Sequence, residues 1–114
     1  MPRAKRGFKR RRRHNKILDR AEGFVFGRKN KIRRTAEAVD RAFIYAYRDR
    51  RAKKRDFRAL WIQRINAGAR EHGMSYSELM GKIHAKGLEL NRKTLADLAM
   101  NHPAAFKAVI DQVK

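Results

Sequence analysis

From residue 31 to residue 67 the chain contains neither proline nor glycine, and the apolar residues that open this stretch, Ile32, Ala36, Val39 and Phe43, fall at spacings of four and three. That is the period of an α-helix. The pattern predicts one continuous helix from about Lys31 to about His72, near which Gly73 is placed to end it. About 42 residues at 1.5 Å each extend roughly 60 Å. So long an element outruns the core of a chain of 114 residues, and it has to project from that core. Within residues 48–58 the only large apolar side chain is Phe57, so this segment cannot lie against a core as an amphipathic helix does.

Projected at 100° per residue, Phe43, Tyr47, Arg50, Lys54, Phe57 and Trp61 fall on one side, aromatics and cations sharing a single stripe. Arg48, Arg51, Arg55 and Arg58 form an adjoining stripe. Asp49, Lys53 and Asp56 stand opposite much of this, at spacings that let opposite charges steady a helix by roughly 0.2–0.5 kcal/mol per pair. A solvated, salt-bridged helix is the ordinary explanation of such a surface. Here seven cations face two acids within residues 48–58, too many for mutual neutralisation, and a polyanion around the helix explains the excess better.

The charge is unevenly placed. The net charge is +20; residues 1–60 hold 23 Lys/Arg against 6 Asp/Glu and residues 61–114 hold 8 against 5. Self-repulsion opposes an autonomous fold of the first half without counter-charge, whereas the second half has the composition to fold alone. Residues 2–23 are dense in basic side chains, with Phe8, Ile17 and Leu18 among the few that can bury anything, so they read as a disordered interaction tail. Gly23-Phe24-Val25-Phe26-Gly27 interrupts the basic run with an apolar patch. Two readings stay open for it: aromatics packed back on the neighbouring helix, or Phe24 or Phe26 stacked on a base while the backbone approaches phosphate.

The last third is conventional. Ser75 and Glu78 have the capping-box spacing and open a helix carrying Leu79, Met80 and Ile83 that stops at Gly87. Asn91 caps a helix with Leu95, Leu98 and Ala99. Pro103 opens a last one with Phe106, Val109, Ile110 and Val113. With Leu60, Trp61, Ile62 and Ile65 they make a four-helix core. The expected fold is all-α, a basic N-terminal extension and one long helix projecting from a small C-terminal helical bundle, divided into residues 1–59 and 60–114. Gly68, costly inside a helix, invites close approach of another helix. Trp61 has two compatible readings, core anchor and base stacker. Arg92 and Lys93 at a helix start oppose the macrodipole unless an anion is near, a faint second nucleic-acid signal.

Several chemistries find no support. Without cysteine there is neither a disulfide framework nor a Cys-based zinc site. His14, His72, His84 and His102 lie on separate segments with no HExxH, and no phosphate-loop, dinucleotide or nucleophile-elbow motif occurs. Asp49 and Asp56 share a helix face but sit among arginines with no pocket, where carboxylates stay ionised. No enzyme, metal, cofactor, small-molecule substrate or membrane partner is expected. No apolar run nears the roughly 20 residues that span a bilayer, and the start has no secretory h-region, so the protein is expected in the cytoplasm.

The segments Tyr45-Ala46-Tyr47-Arg48-Asp49-Arg50-Arg51, Lys54-Arg55-Asp56-Phe57-Arg58 and Leu60-Trp61-Ile62-Gln63-Arg64-Ile65-Asn66-Ala67 closely resemble the bacterial large-subunit ribosomal protein L-twenty family. The likeness extends from Arg3-Ala4-Lys5-Arg6-Gly7 to Leu95-Ala96-Asp97-Leu98. It departs from the family at Phe24 and Val25, where Tyr and a further basic residue are frequent, and at Gly68, where Ala is. The resemblance implies a structural constituent of the large ribosomal subunit that binds 23S rRNA, contacts neighbouring large-subunit proteins and promotes early assembly. It also implies that, in some bacteria, the globular domain binds its own messenger RNA; a translational repressor is therefore the alternative function. A DNA-architectural role ranks below both, because the helices after Gly73 offer few side chains that read bases. The expected RNA-binding residues are Arg3, Lys5, Arg6, Lys9, Arg10, Arg11, Arg12, Arg13, His14, Lys16, Arg28, Lys29, Lys31, Arg33, Arg34, Tyr47, Arg48, Arg50, Arg51, Lys54, Arg55, Arg58, Arg92 and Lys93.

Overall fold

The computed structural model describes residues 3–114. It is all-α: α1 (Gly7–Arg20), a 3-10 turn (Phe26–Arg28), α2 (Ile32–Glu71), α3 (Tyr76–Ala85), α4 (Arg92–Asn101) and α5 (Pro103–Val113), with no strand among the described residues. Helix α2 has 40 residues and matches the span that the apolar period and the missing breakers predict. The chain divides into two compact units, Met1–Arg51 and Ala52–Lys114, and α2 contributes to both.

In the first unit, residues expected to be a disordered tail form α1. Lys and Arg are good helix formers, and no glycine or proline falls between Gly7 and Gly23 to stop them. Composition flags the charge, but local propensity sets the conformation. No residue of α1 is buried. Just after it Ala21 is fully buried, as is Thr35, with Val39 nearly so. The Arg20 guanidinium lies 5.2 Å from the ring centroid of Phe43, linking the end of α1 to α2.

The second unit has the only extended apolar cluster among the described residues. Ile65 and Ala69 of α2 join Met74, Leu79, Met80, Ile83, Leu95, Ala96, Phe106, Ile110 and Val113, with Trp61 partly buried against them. Trp61 therefore serves the core. Leu60 and Ile62 do not join as expected: Leu60 is exposed and Ile62 half-buried. Their 100° offsets turn them from the line through Trp61, Ile65 and Ala69. The glycine inside α2 has a clear packing reason. A Cβ at position 68 would stand 2.9 Å from Cε1 of Phe106 and 3.3 Å from Cβ of Ala99.

The helix ends follow their sequence signals. Gly73, at φ +78, closes α2. Its N–H donates to the Arg70 carbonyl at 3.0 Å, and that of Met74 to Ala69 at 3.0 Å, the paired bonds of a Schellman motif. At α3 the Ser75 hydroxyl accepts from the Glu78 N–H at 3.3 Å and the Glu78 carboxylate accepts from the Ser75 N–H at 2.9 Å. These bonds hold the Glu78 carboxyl below its ordinary range, chiefly through the Ser75 backbone N–H. The Asn91 side chain accepts from the Thr94 N–H at 2.8 Å, and Pro103 occupies the first turn of α5.

Candidate nucleic-acid interface

The basic side chains begin on α1. Five consecutive cations, Lys9 to Arg13, turn through a full revolution of the helix, so charge faces every direction. All five are exposed, as are Arg3, Lys5, Arg6 and Lys16, while His14 is half-buried. The Arg12 guanidinium sits 5.3 Å from the centroid of Phe8. Beyond the turn, Arg28, Lys29, Lys31, Arg33 and Arg34 are exposed as well.

On α2 the same arrangement continues with aromatic rings added. From residue 43 to residue 60 no side chain is buried, and Ala52 alone is half-buried. Arg51 covers Tyr47 at 3.6 Å, with Arg50 at 5.9 Å from the same ring, while Arg48 stands 4.8 Å from Tyr45 and Lys53 5.8 Å from Phe57. Guanidinium groups thus lie over aromatic rings, and both groups can also stack on nucleobases. Phe57 and Trp61, one turn apart, have their centroids at 6.4 Å.

The expected acidic ties form only in part. Asp49 pairs with its neighbour Arg48 at 3.0 Å and not with Lys53, and Asp56 has no cation within 4 Å among the described residues. The other ion pair among these residues is Glu37–Arg41 at 2.7 Å. Both pairs are exposed, where such bridges are worth about 0–1 kcal/mol. Arg50, Lys54, Arg55 and Arg58 have no acidic partner among the described residues.

Sequence reasoning overlooked Ile44 and Tyr45. They are 66% and 50% exposed beside Phe43 and Tyr47, so large apolar groups project from several sides of one helical turn. Residues 43, 44, 45 and 47 project at about 0°, 100°, 200° and 40°, a signal available in the sequence but hidden when only one stripe is followed. In the Gly23–Gly27 patch the structure separates the two aromatics. Phe24 is half-buried, whereas Phe26 is 85% exposed. This turn and the first turns of α2 enclose an open groove of about 1360 Å³ lined by Phe24, Phe26, Tyr45, Arg28, Arg34 and Arg41, among others. It exceeds the roughly 300–1,000 Å³ of a small-molecule pocket.

In the second unit Arg92 is half-buried and its Nε donates to the Tyr76 hydroxyl at 2.8 Å, while Lys93 is exposed. The two neighbours expected to act together are in different environments. No group of three or more His, Asp or Glu is placed to hold a metal among the described residues, and no helix there is long and apolar enough to cross a membrane.

The family model described as ribosomal protein L20 matches residues 3–109. The chain belongs to the ribosomal protein L20 family. A large ribosomal subunit protein bL20 from Flavobacterium johnsoniae is 59% identical over 114 residues, covering all of both chains. One from Erythrobacter litoralis is 57% identical over all of this chain and 96% of its own length, and one from Syntrophotalea carbinolica 57% identical over all of this chain and 97% of its own. Membership of this family makes the chain a ribosomal-type protein and not an enzyme.

Proposed function

We propose that the protein is a structural constituent of the large ribosomal subunit that binds 23S rRNA directly and promotes early assembly of that subunit. The observation that carries this is the run from residue 43 to residue 60, an intact helix that buries none of its side chains while displaying aromatics and arginines in several directions. A helix whose side chains stay this exposed needs another medium to cover Ile44 and the rings and to balance seven cations against two acids.

Folded RNA supplies both. Its phosphates take the cations, and counterion release drives binding with a steep salt dependence. Its unpaired bases and exposed base edges take the apolar surface. RNA suits this helix better than duplex DNA, since irregular RNA encloses a rod on several sides whereas a DNA groove leaves the back of the helix in solvent. Residues 1–59 act as the RNA-threading part, and residues 60–114 as the globular part whose core is independent of the basic residues. In assembly the positive rod lets phosphate-lined helices of RNA approach one another. The partners are 23S rRNA and neighbouring large-subunit proteins, and the protein resides in the large subunit in the cytoplasm.

Sedimenting cell extracts at moderate and high salt tests this. The protein is expected in the large-subunit peak at both, with release only at salt concentrations that strip subunits. Recovery solely in free or DNA-bound fractions would refute it. Deleting residues 1–59 is expected to abolish incorporation into subunits.

A further inference from the structure

Phe26 combines two costs. Its ring is 85% exposed, and its backbone has φ +54, the left-handed region, where a side chain other than glycine is strained. In the free chain the ring recovers little of this by burial. Phe24, two residues earlier and half-buried, shows that the turn has room to shield an aromatic. Strain that keeps a large ring in solvent points to a partner that covers it.

The surroundings define that partner. Phe26 shares its groove with Tyr45, Arg28 and Arg34. Arg28 and Arg34 have no acidic residue within 4 Å among the described residues, whereas Arg41 in the same groove is tied to Glu37 at 2.7 Å. A ligand that fits must offer a flat apolar face and negative charge a few ångströms away. A nucleotide offers both, and the size of the groove suits a short stretch of chain.

We propose that the groove between the Gly23–Arg28 turn and α2 receives an unpaired stretch of RNA, one base stacking on Phe26 while Arg28 and Arg34 take the flanking phosphates. This rests on the RNA-binding function proposed above and adds to it a single-strand site distinct from the phosphate contacts of the α2 rod. Stacking of this kind tolerates any base, so the site selects unpaired nucleotides by their accessible faces.

The test uses the full chain with transcribed 23S rRNA, comparing wild type with Phe26→Gly, Phe26→Trp and Arg50→Gln. Glycine relieves the left-handed strain, so Phe26→Gly is expected to fold at least as well as wild type by thermal unfolding. It is expected to bind about tenfold more weakly, with an unchanged slope of log K against log salt, because no phosphate contact is lost. Phe26→Trp retains affinity. Ultraviolet cross-linking with mass spectrometry is expected to join residues 24–28 to an unpaired nucleotide. Wild-type affinity in Phe26→Gly, or cross-links of this turn to paired nucleotides alone, would overturn the groove proposal. If Arg50→Gln still weakened binding in that case, the general RNA-binding function would stand. Failure of wild type to bind the RNA would overturn both.

Discussion

Within α2, residues 43–58 and residues 61–69 share a backbone conformation and differ in almost everything around it. The first stretch buries no side chain and holds its arginines against its own rings. The second places Ile65 and Ala69 in an apolar core and brings Gly68 against Phe106. Helical conformation is therefore no guide to what stabilises a helix. Residues 61–69 are held by area removed from water, whereas residues 43–58 rely on propensity. Their apolar residues make the same point: Phe43, Ile44 and Tyr47 remain exposed where the core-facing line of the second stretch does not.

This contrast breaks most sharply at the core. Phe106→Ala removes a ring that is only 2% exposed and is expected to cost about 3–5 kcal/mol in the second unit, followed by Trp61 fluorescence during denaturant unfolding. The complementary change lies on the other stretch. Replacing Arg50, Lys54, Arg55 and Arg58 together by Gln is expected to leave unfolding within about 0.5 kcal/mol of wild type. The same variant should lose about a hundredfold in affinity for 23S rRNA at physiological salt, with a salt slope shallower by about 3. An equal loss of stability would show that these cations serve the fold.

Smaller effects sharpen the comparison. Gly68→Ala is expected to destabilise by about 1 kcal/mol, because crowding against Phe106 outweighs the gain in helix propensity. In a Phe106→Leu background the same change should stabilise by about 1 kcal/mol, and a thermal-unfolding double-mutant cycle reads the reversal. In the first unit the Thr35 hydroxyl is buried without a hydrogen-bond partner among the described residues, so Thr35→Val should raise stability by about 1 kcal/mol, read from the helical signal on heating. The weakest effect concerns pH. The folded-state carboxyl of Glu78 titrates below its unfolded value, so its contribution is complete above the ordinary glutamate range and fades as pH falls through the lowered value. Glu78→Gln is expected to flatten that acid limb in unfolding titrations.

Much of this was legible in the residues. The period through Ile32, Ala36, Val39 and Phe43 locates α2, and the Ser75, Asn91 and Pro103 signals locate α3, α4 and α5, because capping depends on local hydrogen bonds. Gly68 announced close packing for a different reason: a glycine inside a helix costs stability unless a neighbour needs the space. Helix α1 was hidden because charge density suggests disorder while Arg and Lys individually favour helix. Leu60 was misplaced because an apolar residue beside Trp61 need not share its face. Ile44 and Tyr45 were legible from their helical angles but lie off the stripe that was followed, whereas the left-handed backbone of Phe26 depends on tertiary arrangement, which no residue type declares.

The central claim is that RNA encloses residues 48–58 on every side. Its most direct test is to modify arginines and lysines chemically in the free protein and in isolated large subunits, and to compare each site by mass spectrometry. Arg48, Arg50, Arg51, Lys53, Lys54, Arg55 and Arg58 are expected to react in the free protein and to be protected in the subunit whichever way they point. A contiguous face left reactive in the subunit would contradict the claim and return the helix to a surface washed by solvent.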